Sequence, residues 1–353
     1  LIVAPNTAAI LNAVEQARRE MNQWLLEHCY GQVALGVATQ EAGRDDFSDP
    51  AKFAELVKES FTALERAKLQ RFNLTAAAPT VLPVEYPSGV CPYDQRLPAT
   101  GTANDPQPAA LSADQITIGS LLPKQNRLLI LNHDTAVHSD RDTQKLQLPI
   151  FGYTIAFTAD DQISGYFGKA AEQGELRRCW DFSLPQMDDD SVWHGYARRY
   201  INAYVPHFSA EDLLARDKYR PMQDDDEDEI TEGAPKTYNH LACEERRLVN
   251  KDWRGKIAIA TLKGDVDNLG SIFQKGLEAP SLAKMAALSR QMNHFFSLWL
   301  PAYSAKNARN TYTVFAGGDD FFLISPWLQI QQLAAAMREH FKKYVADNPQ
   351  ITF

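Results

Sequence analysis

The stretch from residue 256 to residue 353 constrains this chain most, because it sets two Gly-Asp motifs into alternating apolar runs. The later motif, Gly317-Gly318-Asp319-Asp320, lies between two short runs rich in β-branched and aromatic residues. That pattern predicts a tight β-hairpin with two carboxylates at its tip. The earlier motif, Gly264-Asp265, ends the run 257–262, whose uniform apolarity predicts a buried strand with no wet face. Between them Leu282, Met285, Leu288, Met292, Phe295, Phe296 and Trp299 recur at helical spacing over residues 281–300. After the hairpin Ile330, Leu333, Met337, Phe341 and Val345 do the same, and residues 351–353 read as the start of another strand. The order β-α-β-β-α-β is that of a ferredoxin-like domain.

A right-handed crossover makes the strands at 257–262 and 311–316 parallel, with the returning strand of the hairpin antiparallel between them. The end of the first strand and the hairpin tip then share one edge, which brings Asp265, Asp319 and Asp320 together. Adjacent Asp residues in a turn are commonly no more than solvated turn formers. Three converging carboxylates, without a basic partner in either motif, repel one another unless they share a cation, and an all-oxygen set selects a hard ion such as Mg2+ or Mn2+. The backbone N–H groups of Asn268, Leu269 and Gly270, and the closely approachable turn at Gly317 and Gly318, are candidates to cradle phosphates.

The residues Lys-Gly-Asp-Val-Asp-Asn-Leu-Gly-Ser-Ile-Phe at 263–273, with Phe-Ala-Gly-Gly-Asp-Asp-Phe-Phe at 315–322, resemble the large GGDD-palm subunit of type III-A (Csm-type) CRISPR effector complexes. The resemblance implies synthesis of cyclic oligoadenylates from ATP, switched on when the complex binds target RNA. It implies the other subunits and the guide RNA as partners, a cytoplasmic location, and contact of Ser289 with adenine. A plain helix-surface serine is the competing reading at 289. Diguanylate cyclases share the palm but usually carry Glu where this chain has Asp320. A palm kept only as a scaffold and a cyclase making a guanine dinucleotide remain the alternative functions.

A second motif of organisation lies at the other end. Residues 1–4 read as a strand, 7–25 as a helix and 32–39 as a strand, and Leu-Ile-Val-Ala-Pro at 1–5 aligns with Phe-Leu-Ile-Ser-Pro at 322–326. This suggests an internal repeat, half of another palm, and the family resembled carries two. The expected fold is therefore α+β: two ferredoxin-like palm (nucleotidyl cyclase/polymerase-like) domains, the first incomplete, joined by a loop-rich α/β connecting domain. Expected boundaries are 1–73, 74–250 and 251–353, and the chain reads as part of a longer polypeptide, with any nuclease domain of the family lying before residue 1.

At the end of the first domain Ser48-Asp49-Pro50 predicts a helix start, with the helix running to about residue 72 and Lys58, Arg66, Lys68 and Arg71 on a solvated face. Residues 75–114 are rich in Pro and small residues. The family often has a zinc ribbon there, and Gly89-Val90-Cys91-Pro92 resembles its first knuckle. The next ligand position holds Asp94, so no zinc is expected and the insert packs without it. Residues 116–122, 128–131, 150–157 and 165–167 read as short strands, and 192–205 as a helix with Trp193, Tyr196, Tyr200 and Ile201 in the core. His133-Asp134 reads as a loop rather than a metal phosphohydrolase pair, and the acidic run 224–229 as a solvated loop.

A net charge of -9 argues against a chain that grips nucleic acid unaided. Four cysteines, at 29, 91, 179 and 243, form no CxxC pair and suit a reducing compartment. No apolar run approaches the roughly 18 residues of a membrane span.

Overall fold

Local capping signals decide where the helices of this chain begin. The computed structural model describes residues 2–70, 83–132, 144–148, 153–158, 170–184, 197–201, 204–222 and 230–353. They form two structural units, residues 1–121 with 130–156 and 277–282, and residues 122–129 with 157–276 and 283–353.

In the first unit, α1 (Ala8–Cys29) starts where the Thr7 hydroxyl accepts the Ile10 N–H at 3.3 Å. After α2 (Arg44–Ser48), α3 (Pro50–Leu69) starts as the sequence predicts, with the Asp49 carboxylate accepting the Ala51 and Lys52 N–H groups. The strands expected at 1–4 and 32–39 do not form: residues 2–7 and 33–43 are irregular. Ile2 is 91% exposed, and no described strand offers residues 2–4 a ladder. At Leu35 the peptide groups are taken by the Asn22 side chain, which accepts the N–H at 2.8 Å and donates to the carbonyl at 3.0 Å. The unit expected to repeat the later palm is present here as its helix alone.

A small hairpin of β1 (Thr100–Thr102) and β2 (Asp105–Gln107) precedes α4 (Ala110–Leu121). The strand expected at 116–122 is thus helix through residue 121. Once the Ala113 N–H has closed the first turn onto the Ala109 carbonyl at 2.8 Å, propagation outweighs the β preference of Ile116, Thr117 and Ile118. The expected strands at 128–131 and 150–157 appear as β3 (Arg127–Asn132) and, within the described residues, β5 (Tyr153–Thr158), with β4 (Gln144–Leu148) before it.

In the second unit β6 (Leu176–Asp181) pairs in parallel with β7 (Ala197–Arg198). The helix expected over 192–205 is therefore absent where the chain is described, and Ile201, expected in the core, is exposed. Trp193, Tyr196, His133, Asp134, residues 165–167 and the acidic run 224–229 lie outside the described residues. The short helices α5 (Ala210–Leu214) and α6 (Tyr238–Ala242) lead to a hairpin of β8 (Arg247–Val249) and β9 (Asp252–Arg254). Its turn residues Asn250 and Lys251 both have positive φ, 52° and 72°, as a two-residue hairpin of this twist requires.

The remaining elements are β10 (Ile259–Asp265), α7 (Leu269–Lys275), α8 (Leu282–His294), α9 (Leu300–Asn307), β11 (Tyr312–Gly317), β12 (Asp320–Pro326) and α10 (Trp327–Tyr344). The sheet order is β10-β12-β11 with both pairings antiparallel, so β10 and β11 run parallel, as the crossover argument predicts. Phe295–Trp299 form a π turn joining α8 to α9. The wider turn lets the consecutive residues Phe295 and Phe296 both be fully buried, against Met337 and Phe341 of α10 and Phe321 and Leu323 of β12.

β10 is not the two-sided buried strand expected. Residues 260, 262 and 264 are half-buried against the helices, whereas 259, 261, 263 and 265 are exposed. Small Ala side chains and Thr261 disguise this alternation in the sequence. Residues 351–353 form no strand; Thr352 instead bonds to Asp267, its carbonyl accepting the Asp267 N–H at 2.7 Å.

Candidate active site

The carboxylates are placed by ladder register. Asp265, the last residue of β10, is the direct cross-strand partner of Asp320, the first of β12, and Asp320 in turn pairs with Gly317 of β11. Direct partners in an antiparallel ladder project on the same face, where like charges repel. Gly318 and Asp319 make the two-residue turn, and Gly318 has φ 68°, the conformation the first position of such a turn demands. The Asp319 carbonyl accepts the Val266 N–H at 2.9 Å, tying the hairpin tip to the end of β10. Gly264 is needed for a different reason: a Cβ there would sit 2.4 Å from the ring of Phe321, its ladder partner.

Burial, and then the neighbouring charges of Asp265 and Asp320, push the Asp319 carboxyl up from its ordinary value. Negative charge at the tip is thus undercompensated. The nearest basic residue in either motif is Lys263, two residues before Asp265 on the same exposed strand face. Among the described residues no three His, Cys, Asp or Glu side chains are grouped as a complete metal site. The ladder pair Asp265 and Asp320 supplies two carboxylates on one face, the number with which Mg2+ is commonly held beside substrate phosphates. Asp265, Asp319 and Asp320 are the residues that would hold it.

The other expected residues are distributed as follows. Asn268 is left-handed (φ 54°) and opens α7, with Leu269 half-buried on the core and Gly270 facing open space. Ser289 is exposed on α8. Sequence reasoning missed Asn293, one helical turn further on, whose Oδ1 accepts the Gly318 N–H at 3.0 Å. Its only signal was the i, i+4 spacing from Ser289. It also missed Phe315, 43% exposed, which pairs with Phe322 on the face that carries Asp320, with the two rings 6.1 Å apart.

The base of the hairpin is gripped from the preceding segment. Lys236, with no exposed side-chain surface, donates to Glu244 at 2.7 Å and to Asn310 at 2.8 Å, and lies 2.9 Å from Asp212. Asn310 stands just before β11. Lys218 joins the same two carboxylates at 3.2 and 2.7 Å, so two buried cations face two buried anions. The Tyr204 hydroxyl donates to the Arg309 carbonyl at 2.7 Å, and the Tyr204 carbonyl accepts the Thr313 N–H at 3.3 Å. The first unit has a cavity of about 290 Å3 beside Asp94 and Ser112, and the second has one of about 290 Å3 lined by Asn126, Phe182, Tyr204 and His207 among others; neither is lined by the three carboxylates. On the carboxylate face Ile259, Thr261, Lys263 and Asp265 of β10 are exposed.

A ferredoxin-like sheet with helices on one face and a Gly-Gly-Asp-Asp hairpin at its edge defines a palm domain. Residues 258–353 match the family described as Cas10/Cmr2, second palm domain, and residues 1–81 match Csm1 subunit domain B. The chain belongs to the Cas10/Csm1 family of type III-A CRISPR systems. It is similar to the CRISPR system single-strand-specific deoxyribonuclease Cas10/Csm1 (subtype III-A) of Methanocaldococcus jannaschii, 38% identical over 111 residues, covering 28% of this chain and 14% of that protein. The protein of the same name from Mycobacterium tuberculosis is 21% identical over 382 residues, covering 97% of this chain and 40% of the relative. Among solved structures, the Csm1-Csm4 cassette in complex with one ATP matches with a TM-score of 0.60 and 19% identity, over 99% of this chain and 40% of that one. The cassette in complex with cA4 matches with a TM-score of 0.56, 19% identity and the same coverage. At this identity the structural likeness speaks for the fold. The chain spans 40% or less of the length of these relatives. Among the described residues no helix is long and apolar enough to cross a membrane.

Proposed function

We propose that this chain carries the nucleotidyltransferase palm of a type III CRISPR effector complex and condenses ATP into cyclic oligoadenylates when target RNA is bound. The observation that carries the reading is the register that sets Asp265 opposite Asp320 beside the Asp319 turn. Support comes from the palm match and from relatives solved with ATP and with cyclic oligoadenylates. In this reading residues 251–353 are the catalytic palm, 74–250 the connecting domain and 1–73 part of another palm. The partners are the other subunits, guide RNA and target RNA, in the cytoplasm.

Asp265 and Asp319 bind Mg2+ or Mn2+, and Asp320 completes the set. When bound, a pair of such ions supplies activation of a hydroxyl and neutralisation of a pyrophosphate leaving group. The N–H groups of Asn268, Leu269 and Gly270 receive phosphate oxygens, and the turn at Gly317 and Gly318, which carries no side chain, lets the phosphates approach closely. Ser289 contacts adenine, and Phe315 offers an apolar surface on the same sheet face for a base to stack on. Asn293 fixes the turn through the Gly318 N–H.

The test is incubation of the complete complex with each labelled nucleoside triphosphate, with and without target RNA. Products from ATP alone, formed only with target RNA, support the reading. Products from GTP indicate a dinucleotide cyclase, and no product from any nucleotide indicates a silent scaffold.

A further inference from the structure

The lobe around Cys91 has too little apolar core to hold itself together. Its buried cluster consists of Cys91, Leu97 and Ala109, with Leu111 packed alongside. Lobes this small ordinarily rely on a disulfide or a metal ion, and all four cysteines of the chain are free. The lobe is nevertheless tightly turned. The Cys91 N–H donates to the Leu97 carbonyl at 2.8 Å, and Asp94 Oδ1 accepts the Arg96 and Leu97 N–H groups at 2.8 and 2.7 Å.

The sequence here reads C-x2-D-x17-S-x2-Q from Cys91 through Asp94 and Ser112 to Gln115. This is the spacing of two zinc knuckles, C-x2-C-x15–20-C-x2-C, with the thiolate retained at one position of four. A hydroxyl and an amide do not complete a zinc site. The space between the ligand positions is also spanned by hydrogen bonds. The Cys91 thiol donates to Ser112 Oγ at 3.6 Å, and the Ser112 hydroxyl donates to Asp94 Oδ2 at 2.6 Å. Cys91 Sγ also accepts the Ala109 N–H at 3.3 Å. Cys91 and Ser112 are 1% and 4% exposed, so this relay is out of solvent, and Gln115 lines the same shallow cavity as Asp94 and Ser112.

We infer that a thiol–hydroxyl–carboxylate relay through Cys91, Ser112 and Asp94 occupies the ligand positions of a four-ligand metal ribbon and closes the lobe that a metal ion would otherwise close. Ser112 is the pivot, because one hydroxyl accepts from the first knuckle position and donates to the second. Restoring thiols at the other three positions then recreates a metal site on the existing backbone.

The experiment compares the full chain with its Asp94→Cys/Ser112→Cys/Gln115→Cys variant, both stripped with EDTA, titrated with Co2+ and digested with a protease that cuts within 83–112. The wild type is expected to show no thiolate-to-cobalt charge-transfer band and the same cleavage rate with and without EDTA. The variant is expected to bind one equivalent with a tetrahedral spectrum and to be protected only when loaded. Ser112→Ala is expected to raise the wild-type cleavage rate about ten-fold, as loss of a charge-assisted hydrogen bond predicts, with Ser112→Thr intermediate. Stoichiometric zinc in wild-type protein, EDTA-sensitive wild-type cleavage, or a folded triple variant that binds no cobalt overturns the inference. So does a Ser112→Ala variant as resistant as wild type, whether or not the triple variant folds.

Discussion

Asp320 and Asp265 face each other as direct ladder partners, and nothing in the apolar core depends on either. Replacing Asp320 with Asn, or Asp319 with Ala, therefore removes a metal ligand of the proposed site while relieving like-charge repulsion. The expected result is loss of ATP condensation by at least about 100-fold, on the order seen when one group stabilising transition-state charge is lost. The melting temperature should be unchanged or raised, as read by thermal denaturation. A variant that melts earlier would show that the carboxylates have a structural role the ladder does not suggest. Asn293 acts through the turn rather than on the reacting atoms, so Asn293→Ala should lower activity by about five-fold, the value of one hydrogen bond of about 1 kcal/mol. Steady-state kinetics should place that change in KM for ATP and kcat together, with Asn293→Asp retaining part of the activity because it keeps the acceptor oxygen.

The first strand, the hairpin and the two long helices of residues 256–353 were legible because each is marked by a local signal or a chain rule: the Gly-Gly-Asp-Asp turn, the 3.6-residue repeat that buries Ile330, Leu333, Met337 and Phe341, and the crossover rule that fixed strand order, whereas Leu269–Lys275, the π turn and the irregular 351–353 carried no such signal. Asp265 and Asp320 could be brought to one edge on topology alone. What stayed hidden depends on partners distant in sequence. The exposed face of β10 follows from helices packing on its other face alone, the irregular 33–43 from the Asn22 side chain, and the grip on the hairpin base from Lys236, 74 residues before Asn310. Burial tends to raise the Asp212 carboxyl, but hydrogen bonds from Lys236 and the Ser209 N–H, and the charge of Lys218, hold it well below its ordinary value. A depressed carboxyl pKa contributes stability above the unfolded value of about 3.9, and that contribution is lost as pH falls toward the folded value. Lys236→Met leaves Asp212 and Glu244 with an uncompensated charge, which should cost about 3–5 kcal/mol at neutral pH. Urea denaturation at pH 7 and pH 3 checks both points: the wild type should lose stability between them, and the difference between wild type and variant should shrink at pH 3.

Taken as one chain, the palm sets Asp265 and Asp320 beside the Asp319 turn at one sheet edge, yet the proposed reaction joins two nucleotides. The hydroxyl of one must lie within about 3 to 3.5 Å of the α-phosphorus of the other, so both must be held at once. On the palm face Asp265 and Asp320 are paired across the ladder beside the Asp319 turn, and in the proposed function these three carboxylates serve the metal of one nucleotide. The second nucleotide must therefore be held by groups other than Asp265, Asp319 and Asp320, and without their metal. Calorimetric titration of the complete subunit with a non-hydrolysable ATP analogue should give two equivalents per chain in Mg2+. Excess EDTA, or the Asp319→Ala substitution, should remove one of them and leave the other. A single equivalent per chain, together with a condensation rate that rises with the square of subunit concentration, would instead mean that two copies of the palm meet to perform each condensation.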